Sequence, residues 1–362
     1  CTKDYIVILD TAFRTEAAQV VGLGVSAPQM PDTVLYVIRR KDLIPGSDVL
    51  ARRVVIPRES AHVVADYDNP GQQITVHLAH LTGTDLSEWL RADDVLVETG
   101  QKVRSDLVGL FSAGTDINQI GKYVIDGESG QVMDSAWHQD DELTWATIYY
   151  MHRGAMVPGR FEQLYYMSFG FSSELYTERV AKLYADHPDR QINPSKMPLE
   201  GRPGALFRFD VAAMTIADGY RLPPGRVMSS PQFVPRFGSS GPTDGYIVAT
   251  VLSDDTTTPG SSGDEIWILD AANLSQGPIA RLGHPLLNLG FTIHTTWTES
   301  AHHAHRRTTH HRARRLRAHA RWPRRRARGR FRKARLPQVR RLTDRAARKA
   351  LTPEPLTERK RS

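Results

Sequence analysis

Short stretches that alternate apolar with polar residues, or cluster β-branched and aromatic ones, recur along the first 300 residues, with turn-forming residues between them. Tyr5–Asp10 (YIVILD), Thr33–Ile38 (TVLYVI), Gln73–Leu78 (QITVHL), Ala205–Asp210 (ALFRFD), Gly245–Leu252 (GYIVATVL) and Glu265–Asp270 (EIWILD) each read as a strand. Asp68-Asn69-Pro70-Gly71 is a turn signal ahead of the third, and the polar run Ser253–Asp264 reads as a long hairpin connection between the last two. Helical signals are fewer. Ser172–Tyr184 has an N-cap serine, early acids and apolar Leu175, Val180 and Leu183, and Asp85–Leu90 reads as a short helical turn. Many short strands with few helices imply an all-β sandwich, barrel or propeller, and no WD or kelch repeat chooses among them.

The charge is unevenly placed. Residues 301–362 carry 23 of the 47 Lys and Arg but three of the 40 acids, so the first 300 residues keep 24 basic and 37 acidic side chains. An acidic body thus precedes a basic Arg/His/Ala-rich tail over 298–362. Arginine runs repel themselves in a compact state, so the tail is expected to be disordered. Two origins fit it: translation of a shifted reading frame in a GC-rich gene, or a nucleic-acid- or anion-binding segment. Only Trp322 and Phe331 interleave its arginines, so nucleic acid is the weaker expectation. A 40 % hydrophobic content supports a real core. A single cysteine excludes a disulfide framework or a Cys-rich metal site, no apolar run approaches the ~18 residues of a membrane span, and a cytoplasmic location is expected. The start at Cys1 suggests a fragment or processed product.

Of fourteen histidines, eight lie before residue 300. His62 (RESAHVVADYD) and His294 (GFTIHTTW) sit among apolar or β-branched neighbours, where a buried imidazole needs a partner: a backbone carbonyl or a metal ion. His77, His80, His138, His152, His187 and His284 read as surface or turn residues, with the i, i+3 spacing of His77 and His80 placing them on opposite strand faces.

These segments, in order, resemble the carotenoid cleavage oxygenase family, which includes lignostilbene dioxygenases and the retinoid isomerase. Thr2–Asp10 is similar to the strand after the family's second histidine, His62–Asp68 to the segment bearing its third iron ligand, and Pro231–Arg236 (PQFVPR) to its EPxFVPR stretch. Thr243–Val251, Glu265–Asn273, Gly277–Arg281 (GPIAR) and Gly290–Trp297 resemble its C-terminal blades, the last with the fourth ligand. The resemblance implies a seven-bladed β-propeller with capping helices, here its C-terminal part over 1–297. It implies a non-haem Fe(II) on the propeller axis, held by four histidines that include His62 and His294. It also implies Glu162 (RFEQL) as a carboxylate orienting a ligand histidine, for which a strand-edge acid is the plainer reading. Ser230 stands where a second such acid would precede Pro231. The reaction implied is O2-dependent cleavage of a conjugated C=C bond in an apolar carotenoid, apocarotenoid or stilbene-like substrate, giving two carbonyls. Tyr165, Tyr166, Phe169 and Phe171 are candidate lining, with core packing the plainer role, and peripheral membrane contact accompanies such a substrate. The family's first two histidines would fall before Cys1, so this chain alone is expected to be inactive. A non-catalytic propeller fragment is the alternative.

Overall fold

The computed structural model describes residues 1–11, 28–151, 159–253, 263–284, 286–292 and 294–298. The chain divides into Cys1–Ser300 and Ala301–Ser362. The basic tail from residue 299 onward, most of the loop before Asp264, and His152 lie outside the described residues.

Among these residues, fifteen strands form four antiparallel sheets, each a meander of consecutive strands. Sheet one holds β1 (Tyr5–Asp10), β2 (Asp32–Arg39) and β3 (Arg52–Pro57). Sheet two holds β4 (Ser60–Ala65), β5 (Gln73–His80), β6 (Gln119–Asp126) and β7 (Val132–His138). Sheet three holds β8 (Thr147–Met151), β9 (Gln163–Ser168), β10 (Ala205–Asp210) and β11 (Thr215–Arg221). Sheet four holds β12 (Val227–Pro235), β13 (Gly245–Leu252), β14 (Glu265–Asp270) and β15 (Pro278–Gly283). All six expected strands are present. The all-β, blade-like architecture is the expected one, with four sheets described against the seven blades of the family pattern.

Period-2 alternation builds the stack. Tyr5, Leu35, Val37, Val54 and Ile56 of sheet one pack against Ile74, Val76, Leu78, Tyr123 and Ile125 of sheet two. The other face of sheet two sets Val64, Ala79 and Ile120 against Leu164, Tyr166, Phe207 and Phe209 of sheet three. Sheet three in turn presents Tyr165, Met167 and Leu206 to Ile247, Val251, Trp267 and Leu269 of sheet four. Each interface joins two apolar sheet faces, the arrangement that removes most surface from water. The first strands stand side by side: β1 meets β4, β4 meets β8, and β8 meets β12.

The two ends of the stack are also apolar. The outward face of sheet one carries Ile6, Ile8, Val34, Tyr36, Ile38 and Val55, and Ile8 is 48 % exposed. Val248, Ile266, Ile268 and Leu282 form the outward face of sheet four, and Leu282 is 52 % exposed. Among the described residues no further sheet packs on either.

The connections 81–118 and 170–204 fold over the sheets as a cap, packed around Trp145, Phe171, Tyr176 and Met197. Here the helix expected from Ser172 is corrected. Ser173–Leu175 is a single 3-10 turn, and helix α1 spans only Glu178–Leu183, capped by Thr177, whose hydroxyl accepts from the Val180 amide. The Ala113 and Val97 amides donate to the Leu175 and Tyr176 carbonyls, committing that backbone to tertiary bonds before a helix can use it. Asp85–Leu90 is a turn, because the Asp85 carboxylate takes the Ser87 amide and hydroxyl. Among the described residues no helix is long and apolar enough to cross a membrane.

Candidate functional site

His62 lies on β4, and its aim is set by a bulge. Ser60 pairs with His80 and His62 with Ala79, leaving Ala61 without a counterpart. An extra residue bends a strand and redirects the side chain beside it. The buried Ser60 hydroxyl fills the bulge, sharing its proton between the carbonyls of Ala79 (2.8 Å) and His62 (2.9 Å) and accepting the His62 amide at 3.3 Å.

His294 lies 232 positions further along the chain, in a segment whose described residues belong to no strand. This segment rests on β12, which has its own bulge between Ser229 and Gln232, with Ser230 at φ 45°. The Ser229 and Ser230 hydroxyls each donate to the Thr292 carbonyl at 2.6 Å, and Thr295 Oγ1 donates to the Ser230 carbonyl at 2.9 Å.

The two imidazoles meet edge to face, with ring centroids 5.9 Å apart and planes at 73°. Burial pushes the His62 pKa down, and the His294 ring pushes it the same way. His62 is therefore held neutral, the form that donates a lone pair to a metal ion. A neutral imidazole pair is a donor set that first-row divalent metals, iron among them, accept. Among the described residues no group of three or more His, Cys, Asp or Glu could hold a metal ion.

Glu162 is exposed, immediately before β9. Three of the four aromatic candidates are core residues. The Tyr165 hydroxyl donates to the Ala271 carbonyl, Tyr166 stacks on Phe207, and Phe171 packs on Trp145 and Tyr176. Phe169 differs: its ring lies 5.9 Å from that of Phe291, three residues before His294.

Several histidines read as surface residues are buried instead. His77 hydrogen-bonds Asp66 at 3.0 Å, and His80 bonds the Tyr123 hydroxyl at 2.8 Å. The two do face opposite sides of β5, His77 packing on Phe161 and His80 on Tyr123. His138 is the last residue of β7 and tilts onto Phe209. His187 Nε2 is 3.0 Å from Glu59 Oε2, both side chains buried. Burial lowers the His187 pKa, but the Glu59 hydrogen bond and the charges of Glu59, Asp189 and Asp116 outweigh it, and the net shift is upward. Glu59 also accepts the Gly83 amide, so it ties the start of β4 to the cap three residues before His62. His284 is exposed in a turn, as read. A cavity of about 330 Å³ lies elsewhere, between sheets two and three beside Asp66, Lys122, Arg160 and Phe161, and is lined by neither His62 nor His294.

The fold has counterparts among known proteins. Mutant Synechocystis apocarotenoid oxygenase superposes with a TM-score of 0.51 at 15 % identity, over 83 % of this chain and 52 % of that one. The cobalt-substituted Synechocystis enzyme gives 0.50 at 15 % identity over the same shares. At such identity the likeness shows the fold. The chain spans about half the length of these solved relatives. The carotenoid dioxygenase carX of Gibberella fujikuroi is 34 % identical over 86 residues, 22 % of this chain and 12 % of that protein. Isozyme III of the lignostilbene-α,β-dioxygenase of Sphingomonas paucimobilis is 36 % identical over 84 residues, 23 % of this chain and 16 % of that protein. The family model described as retinal pigment epithelial membrane protein, RPE65, matches residues 1–299, and the chain belongs to that family, the carotenoid oxygenases.

Proposed function

We propose that the chain carries part of an oxygenase that cleaves a conjugated C=C bond of a carotenoid, apocarotenoid or stilbene-like substrate with O2. The supporting observation is the meeting of His62 and His294, 232 positions apart in the chain, with ring centroids 5.9 Å apart. Fe(II) is the ion of this reading, and bound iron supplies O2 activation. The chain's own residues do the rest. His62 and His294 would hold the ion through two of its nitrogen ligands. The bulges of β4 and β12 hold them in register. Phe169 and Phe291 offer an apolar wall beside His294, the surface a polyene or stilbene needs to leave water. The exposed rings of Trp89 and Phe111, 6.3 Å apart with Leu110 beside them, suit the peripheral membrane contact that such a substrate calls for.

Iron binding by the purified full chain tests this reading. Fe(II) is titrated anaerobically into the parent, His62→Ala and His294→Ala. The expected result is a fraction of bound iron lost equally in both variants, over a background from other histidines that neither changes. Identical isotherms for all three proteins overturn it.

A further inference from the structure

Ser230 stands where a carboxylate was expected ahead of Pro231, and the His62 and His294 rings meet edge to face. What occupies the supporting positions is a set of buried serine hydroxyls, all at the bulges of β4 and β12. We propose that Ser60, Ser229 and Ser230 are positioning residues for the His62–His294 site, gripping the ligand backbone where a carboxylate would otherwise orient a ring. This rests on the metal-binding reading above.

The same device appears twice. On β4, the Ser60 hydroxyl bonds both the amide and the carbonyl of His62, fixing the peptide groups on either side of its Cα. On β12, Ser229 takes the Thr292 amide at 3.2 Å and donates to the Thr292 carbonyl, while Ser230 donates a second bond to that carbonyl. A carbonyl oxygen has two lone pairs, and here both are directed. The Thr295 hydroxyl closes on the Ser230 carbonyl, so His294 is bracketed at Thr292 and Thr295. No strand ladder carries this segment, and a ligand on an irregular segment depends on such grips for its direction.

The backbone of β12 is shaped for the purpose. Ser230 takes φ 45°, a left-handed conformation that non-glycine residues seldom adopt, and this turns consecutive hydroxyls onto one carbonyl. Consecutive residues of a regular strand point to opposite faces and could not do this.

Co(II) absorption on the full chain tests the assignment. The signal read is the part of the visible d–d spectrum that His294→Ala abolishes. Ser229→Ala/Ser230→Ala and, separately, Ser60→Ala are expected to weaken Co(II) binding about 10- to 100-fold and to shift the remaining bands. Ser229→Thr keeps a hydroxyl and is expected to retain the parent spectrum. Far-UV circular dichroism and thermal melting show whether each variant is folded. If the double variant does not fold, Ser60→Ala and Ser229→Thr decide. Parent-like affinity and bands in the folded alanine variants overturn the positioning role and leave the metal-binding reading intact. A parent spectrum with no component sensitive to His62→Ala or His294→Ala overturns both.

Discussion

His187 Nε2 and Glu59 Oε2 lie 3.0 Å apart, with side-chain exposures of 4 % and 1 %, and so join the cap to the residue just before β4. Breaking a buried pair by removing one charge leaves the other uncompensated. Glu59→Gln is therefore expected to cost about 3–5 kcal/mol of unfolding free energy, read from urea denaturation at pH 6. The sign of the pH effect follows from the upward shift of His187. Its contribution is full below the unfolded value near 6.5 and is lost as pH rises through the higher folded value. Above pH 6.5 the parent's denaturation midpoint should fall more steeply than that of Glu59→Gln. Parallel curves would count against the ion pair.

His80 sets the opposite trend in acid. It is fully buried, and desolvation, reinforced by the nearby Arg58 charge, lowers its pKa to about 3 against the pull of the Arg58 and Glu59 backbone carbonyls. Its Nδ1 makes no well-formed hydrogen bond to them. The unfolded chain takes up a proton below pH 6.5 that the folded chain refuses. Stability is thus expected to fall by about 1.4 kcal/mol per pH unit for this one group as pH drops from 6.5 toward 3. His80→Gln should remove that share of the slope, measured by urea denaturation between pH 4 and 6.5. The depressed His62 acts in the same direction and remains in the variant.

Arg179 of α1 pins the cap. Its guanidinium forks onto Asp94, at 2.6 and 2.9 Å, and also bonds Glu88 and the Trp89 carbonyl. Both acids are almost fully buried. Arg179→Ala is expected to cost about 3–5 kcal/mol. Arg179→Lys should recover only part, because an ammonium cannot reproduce the two-pronged contact. Thermal melting of the three proteins checks the order.

Gly121 of β6 faces His80. A Cβ placed there would come within 2.5 Å of His80 Nε2 and 2.8 Å of the Tyr123 ring. Gly121→Ala is expected to destabilise by about 1–3 kcal/mol through overpacking and to break the His80–Tyr123 hydrogen bond. Adding His80→Ala should relieve the clash, so the double variant should be more stable than the two single losses sum to. Strict additivity would show that the contact is not shared.

The strands were readable because period-2 alternation is written locally: β1, β10, β13 and β14 begin and end where their patterns do. The helix was overextended because tertiary amides, from Val97 and Ala113, claim carbonyls that local propensity assigns to a helix. His62 and His294 stood out through ordered motifs, and the structure brings their rings together. The Glu59–His187 pair was not legible, since its partners are 128 positions apart and neither lies in a motif. An acid three residues before a candidate ligand was the one clue available. The serines were legible only as the absence of an expected acid at position 230. That two neighbouring hydroxyls would converge on one carbonyl depends on a positive φ that sequence spacing does not reveal.

The apolar ends of the stack have a consequence for solution behaviour. The face of Ile8 and Val55 differs from the face of Ile268 and Leu282, so copies meeting through these ends would join head to tail. Such a contact has no built-in stop unless the rotation closes a ring, and it otherwise grows into filaments. A segment or partner laid over either end acts as a chain terminator, and its stoichiometry then sets the length of the polymer.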